Sequence, residues 1–475
     1  MMHKSATLGL LAAAGSAFAA LQVDISSTSS IKAAAKDVAF DVMSVYKGNQ
    51  SGEIVGLIGS PPPVGEYYWW TGAVLWSTMI DYWHYTNDST YNAVTVQGLT
   101  AQNGPNLQSP FMPPNWTASM GNDDQGFWGI AAAKANEAGL PAPPKGEPSW
   151  LDLAKAIFQV QTVRYTDSED ACGGGLRWMI VPVNTGFDLK NTASTAVFLN
   201  LGARLYHATQ NETYADWVEK GWTWLTTIGL VDDKFNVYDS VSTIDDCAKA
   251  NKQQWSYNAG LLLETAAYMY AQKSSKSADS KETTTWKTRT TSLANRTVSH
   301  FFSADQGVLV EPLCENAGQP ACTQDMSFFK GVTLRSLAGA AVLVDELRDP
   351  DHGVGQALRA TAQATAKTCS GGKSGRECKF DWTGHAADQN AKLDGAPVEI
   401  NALAAVLGPL AVESASGAGG NGNGSGSNGG NGNGSGSGDA GSGENGQSGT
   451  DDGNAGASLR VGMGVMVAGL VAALI

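Results

Sequence analysis

Ser119-Met-Gly-Asn-Asp-Asp-Gln-Gly-Phe-Trp-Gly-Ile-Ala-Ala-Ala-Lys-Ala-Asn-Glu-Ala-Gly-Leu140 places two carboxylates, Asp123 and Asp124, directly ahead of a run dense in alanine. Alanine at 131, 132, 133, 135 and 138 favours a helix and lets neighbouring helices approach closely. Asn122 or Asp123 is suited to cap its start, where the helix macrodipole favours negative charge. Trp128, four residues beyond Asp124, then shares its face. Plain capping accounts for most acidic pairs at helix starts. The same pair beside aromatic side chains is also what glycosidic chemistry needs, one acid to protonate the leaving oxygen and one to attack or stabilise the anomeric carbon. Adjacent acids repel, which favours keeping a proton on one of them.

The helical habit extends along the chain. Segments 31–46, 70–86, 125–138, 150–166, 191–208, 214–228, 255–272, 285–301, 329–347, 355–369 and 399–412 all carry apolar residues at three-to-four spacing, and clear period-two strands are scarce. Eleven or twelve helices joined by Gly/Pro/Asn loops make six helical hairpins. Closed into a ring, they predict an all-α (α/α)6 barrel. Helix count alone permits an open solenoid too, but no short repeat of fixed period is visible.

Several other stretches carry polar residues at helix starts. In Tyr67-Tyr-Trp-Trp70 and the apolar helix after it, Ser77, Asp81 and Tyr85 share one face. Asp81 is then either paired in the core or lines a polar cavity. Gly173-Gly-Gly-Leu-Arg-Trp178 is not a phosphate loop, because no Lys-Ser/Thr follows it. Lys190-Asn-Thr-Ala-Ser-Thr195 opens a helix, so Asn191 and Thr192 either cap it or offer hydrogen bonds to sugar hydroxyls. Trp255-Ser-Tyr-Asn-Ala-Gly-Leu261 repeats that arrangement with Tyr257 and Asn258. Phe329-Lys-Gly-Val-Thr-Leu-Arg335 adds Lys330, a cation that either approaches the acid pair or faces solvent. His84, His207, His300, His352 and His385 show no metal spacing, and no Gly-x-Ser-x-Gly elbow is present.

Asn122-Asp-Asp-Gln-Gly-Phe-Trp-Gly129, together with these segments, resembles the family-76 glycoside hydrolases, the endo-α-1,6-mannanases. The similarity runs from about Leu21 to about Val412 and is strongest to the fungal, membrane-anchored cell-wall branch. The resemblance implies the same barrel, with Asp123 as nucleophile, Asp124 as acid/base, and no metal or organic cofactor. The donor would be an α-1,6-mannose glycan of a GPI core or wall mannan, with a β-glucan as a possible acceptor. Trp69, Trp70, Asp81, Gln125, Trp128, Asn191, Thr192, Tyr257, Asn258 and Lys330 are the expected substrate-binding residues, with Trp69, Trp70 and Trp128 as stacking platforms. A non-catalytic mannan-binding wall protein on the same scaffold is the rival; it could lose either acid, and both are present.

The ends of the chain and its composition set the context. Residues 1–19 read as a secretory signal with Ala17-Phe-Ala19 as cleavage site, and the barrel is expected over 20–413. Residues 414–454 are a Gly/Ser/Asn-rich linker, and 455–475 end in the apolar run Val461–Ile475, the pattern of a GPI-attachment signal. Asn454 is the expected attachment residue on its small followers, although Ser448 or Gly449 gives a better spacer. Export exposes the six cysteines to an oxidising compartment. They allow 15 connectivities; Cys314–Cys322 and Cys369–Cys378 close short loops, which leaves Cys172 with Cys247. Asn49, Asn87, Asn115, Asn211 and Asn295 begin glycosylation sequons. A net charge of −14 with no basic block argues against nucleic acid as a partner. The expectation is a monomer held at the outer face of the plasma membrane and in the cell wall.

Overall fold

Two kinds of helix alternate along the chain. Those such as α2 (Trp70–Thr86), α4 (Asn122–Ala138), α6 (Thr192–Thr209) and α8 (Ser256–Lys276) are buried nearly all round, whereas α7 (Glu212–Thr227) and α9 (Lys281–Phe301) bury one stripe. The computed structural model describes residues 20–419 apart from 63, 170, 385–389, 391 and 392. The signal segment, most of the linker, Asn454, the apolar tail and His385 lie outside the described residues.

The buried helices form the inner wall. α2, α4, α6, α8, α11 (Phe329–Leu343) and α13 (Ala396–Gly419) contact one another in that order, and α13 packs back onto α2 to close the ring. Outside them lie α3 (Asn92–Ala101), α5 (Trp150–Asp167), α7, α9, α12 (Gly353–Thr368) and α1 (Thr28–Val45), and the one-turn α10 (Pro312–Glu315) falls between α9 and α11. This is the (α/α)6 barrel. Each outer helix returns the chain, so all six inner helices run the same way and their N-termini converge on one mouth. Small residues set the close approach, and Gly129 shows it: a Cβ there would come within 2.8 Å of Leu201 and 3.1 Å of Ile157.

α3 is the outer helix that the apolar spacing does not announce. Its β-branched Val94, Thr95 and Val96 weaken the local preference, but Gly98 lies flat on the Trp76 indole, where a Cβ would sit 2.3 Å from ring carbons. Tertiary packing decides that segment. At the other end, α13 continues to Gly419, past residue 413 where the composition predicts the barrel to end, with Glu413 held by Thr28 at 2.9 Å. One short antiparallel pair, β1 (Leu189–Asn191) with β2 (Ser240–Ser242), leads the chain into α6. Bonds join Cys172 to Cys247, Cys314 to Cys322 and Cys369 to Cys378, all three as expected. Asn49, Asn87, Asn115, Asn211 and Asn295 are all exposed.

Candidate active site

The mouth is organised by the first turn of α4. Its N-cap is Gly121, ahead of the Asn122 or Asp123 that the sequence suggests, because Asp124 reaches back to accept from the Gly121 N–H at 2.7 Å. Asn122 is committed elsewhere. Its N–H donates to the Trp178 carbonyl at 2.8 Å and its amide to the Arg177 carbonyl at 2.9 Å, while its Oδ1 accepts from Arg164 at 2.9 Å. Gln161 holds the Asn122 carbonyl from α5 at 2.7 Å. Residue 121 must lack a side chain, since a Cβ would stand 2.3 Å from Asp123 Oδ1 and 3.3 Å from Asp124 Oδ2. Both carboxyl groups therefore press on the same glycine.

Asp123 is tied down more fully than its neighbour. Its Oδ1 accepts from the Asp124 N–H at 2.9 Å, and its Oδ2 from Asn191 Nδ2 at 3.1 Å. Asn191 also caps α6 by accepting from the Ser194 N–H at 3.0 Å, so its capping and polar roles coexist. Burial pushes the Asp123 carboxyl up to about 7 against those two hydrogen bonds. Burial and the Asp123 charge hold Asp124 well above the usual carboxylate range, although Asp124 keeps an edge toward solvent. The bonds from Asn191 and the Asp124 N–H favour charge on Asp123 and leave the proton on Asp124. Among the described residues, no Lys or Arg pairs with either acid.

Beneath the acids lies an aromatic floor drawn from four inner helices. Trp70 packs on Phe127 at 4.9 Å between centroids, Phe127 meets Tyr257 at 6.5 Å, and Tyr257 stacks on Phe329 at 4.1 Å. Each ring keeps 6–9% of its surface exposed, unlike the sealed core below. Asp325, just before α11, faces the floor and accepts from Trp70 Nε1 at 2.7 Å. Its charge raises both Asp123 and Asp124. Tyr68 and Trp178 are the exposed aromatics of this region, at 52% and 38%. Tyr68 feels the charges of Asp325 and Asp124, and the Trp178 carbonyl pins Asn122.

The other expected contacts lie elsewhere. Trp128 is sealed in the core between Trp69, at 5.0 Å, and Phe111, at 5.3 Å, so Trp69 and Trp128 are not platforms. Gln125 is buried behind the turn, donating to the Pro110 carbonyl at 2.7 Å and accepting from Arg164 at 2.6 Å. Thr192 is spent on the Tyr238 carbonyl at 2.5 Å. Asn258 is buried beside Tyr257 with neither amide atom hydrogen-bonded among the described residues. Asp81 is paired in the core: Lys134 and Arg335 each hold it at 2.7 Å. Nearby, Arg204 joins Glu137 at 2.6 Å and Glu264, which charges the barrel end remote from the acid pair. Lys330 neither approaches the acids nor faces solvent. It is buried against Glu315 at 3.1 Å, under Phe380 and Trp382.

Asp325, Tyr68 and Trp178 are the residues that sequence reasoning missed. Tyr68 and Trp178 stand inside quoted motifs, where choosing among several aromatics needed coordinates. Asp325 follows Gln324 in a loop with no pattern to mark it.

The sequence model of Glycosyl hydrolase family 76 matches residues 30–419. The chain belongs to that family. It is 38% identical over 366 residues to mannan endo-1,6-alpha-mannosidase DCW1 of Saccharomyces cerevisiae, covering 76% of each chain. The crystal structure of Dfg5 from Chaetomium thermophilum in complex with glucosamine superposes with a TM-score of 0.75 at 39% identity, covering 82% of this chain and 92% of that one. An inactive variant of the α-1,6-mannanase GH76A of Salegentibacter, bound to α-1,6-mannotriose, shares the fold at a TM-score of 0.60 and 17% identity, over 80% and 99% of the two chains. In this family-76 chain the acid pair, the barrel mouth and the aromatic floor occupy one place.

Proposed function

We propose that the protein is a retaining α-1,6-mannosidase that passes its glycosyl group to a sugar hydroxyl, joining GPI-linked mannan to wall glucan. The observation that carries it is the asymmetric acid pair on one glycine. Asp123 is hydrogen-bonded to hold charge, and Asp124 is environmentally kept protonated. Asp123 Oδ1 and Asp124 Oδ2 lie 2.3 Å and 3.3 Å from where a Cβ on Gly121 would stand, which supports the short separation of a retaining pair over the wider one of an inverting pair. Asp123 attacks the anomeric carbon as Asp124 gives its proton to the departing oxygen. The mannosyl ester on Asp123 is then opened by a hydroxyl whose proton returns to Asp124. The names of the relatives support mannan as the donor class.

Transfer in place of hydrolysis requires an acceptor held in attacking position. Tyr68 and Trp178, exposed near the pair, are the surfaces available for stacking it. The GPI signal read from residues 455–475 supports placement at the outer face of the plasma membrane, with the cleft between membrane and wall. The test incubates purified protein with a GPI-core mannoside and a labelled β-glucan oligosaccharide. Label in a larger product is expected; accumulation of free reducing mannoside with no larger labelled product would make the enzyme a hydrolase.

A further inference from the structure

Asn122 and Gln125 bracket the acid pair in the first turn of α4, and one side chain from the outer layer sets both amides. Arg164 stands on α5, one turn beyond Gln161 and on the same face. Its Nη1 donates to Asn122 Oδ1 at 2.9 Å and to Gln125 Oε1 at 2.6 Å, and its Nη2 donates to Met112 Sδ at 3.3 Å. Among the described residues no carboxylate pairs with it, and burial lowers it only to about 10, so it stays charged at neutral pH. A guanidinium donates and never accepts. It therefore turns the oxygen of each amide toward itself and leaves each nitrogen to face away. The Asn122 nitrogen goes to the Arg177 carbonyl at 2.9 Å and the Gln125 nitrogen to the Pro110 carbonyl at 2.7 Å. Both carbonyls lie outside the helices. Pro110 precedes Phe111, whose φ of 47° is a left-handed conformation that a bulky residue keeps only when its surroundings hold it.

We infer that Arg164 is a positioning residue: by fixing the orientation of the Asn122 and Gln125 amides, it sets how the first turn of α4 presents Asp123 and Asp124. Asn122 is then held on every polar atom, by the Trp178 and Arg177 carbonyls on one side and by Gln161 at 2.7 Å and Arg164 on the other. The two acids lie between the held amides, so a roll of that turn moves both carboxyl groups relative to Gly121 and Asn191. Without the guanidinium, each amide can turn its nitrogen toward the vacated space. That exchange breaks the bonds to Arg177 and Pro110 and leaves their carbonyls unpaired. Lysine is no substitute, because a single nitrogen on a flexible stem lacks the rigid fork that serves Asn122, Gln125 and Met112 together. Arg164 touches neither acid, so its action on them passes through their neighbours.

The inference rests on the mannosidase reading, and the test separates the two. Arg164→Ala and Arg164→Lys are compared with wild type for kcat and KM on α-1,6-mannotriose, with and without guanidinium chloride far below its denaturing range. Arg164 is only half-buried, so the added cation can reach the vacated space. Calorimetry follows the melting of each variant, and trisaccharide binding in an Asp123→Asn background. A displaced acid pair predicts a fall in kcat of about 10- to 100-fold for both variants, with KM within about threefold of wild type. Adding Arg164→Ala to Asp123→Asn should change trisaccharide binding by less than about threefold. Guanidinium should raise kcat of Arg164→Ala by at least about fivefold and leave wild type unchanged. A denaturant cannot do that for a protein that has only lost stability. Unchanged kcat in either folded variant, or a fall in trisaccharide binding as large as the fall in kcat/KM, would overturn the inference. A kcat loss that guanidinium does not relieve, or failure of both variants to fold, would also overturn it by assigning Arg164 to the fold alone. A wild-type protein that neither binds nor cleaves the trisaccharide would overturn the mannosidase reading, and this inference with it.

Discussion

Asp123 and Asp124 carry stability and activity in opposite directions. An aspartate in an unfolded chain titrates near 3.9, whereas folding raises the Asp123 carboxyl to about 7 through burial. Between those values the folded chain binds the extra proton, so the contribution is complete below about pH 4 and is lost as pH rises through about 7. Asn cannot ionise and escapes this loss. Asp123→Asn should therefore melt with wild type near pH 4 and a few degrees above it beyond pH 7. Its activity should fall by at least about 1,000-fold. Calorimetric melting across pH, with matched assays, checks both. A variant less stable than wild type at pH 8 would show that the burial cost has been misjudged.

Along single helices, the distance from the mouth separates chemistry from scaffolding. Asp123 and Asp124 stand in the first turn of α4 and reach the mouth. Asp81 lies eleven residues into α2, about 16 Å down the axis, where it meets Lys134 and Arg335. Removing one member of such a buried set leaves the others unpaired. Asp81→Ala should cost about 3–5 kcal/mol in a denaturant melt, with kcat unchanged in the folded fraction; a cost under about 1 kcal/mol would mean the pairs are screened. The apolar periodicity gave the helix and the face on which Asp81 lies, but not that axial level, and so left pairing and cavity open. Lys330 stands at the right level, at the start of α11, yet the segment bearing Phe380 and Trp382 covers it. No local pattern in α11 could announce that cover. The acid pair was legible because a whole octet surrounds it, and eleven of the barrel's helices because their apolar spacing is strong. α3 was not, because its shape is imposed by the Trp76 ring.

Across the whole molecule, closure of α13 on α2 brings six helix N-termini to one mouth, whose dipoles favour negative charge where the acids collect. The barrel needs only to be held near its substrates. The Gly/Ser/Asn composition of residues 414–454 predicts a coil with a reach of roughly 30–40 Å, which suits the tether between membrane and wall that we propose. Ending the chain before Val461 should release active protein into the medium of expressing cells, measured by fractionation; retention on membranes would contradict the anchor. The account stands or falls on a covalent mannosyl-enzyme. Intact-mass measurement after incubation with a mechanism-based 2-deoxy-2-fluoro-mannoside tests it most directly. The prediction is one added glycosyl mass, mapped by peptide sequencing to Asp123 within 119–140 and absent from Asp123→Asn. A label on another residue, or turnover with inversion and no label at all, would contradict it.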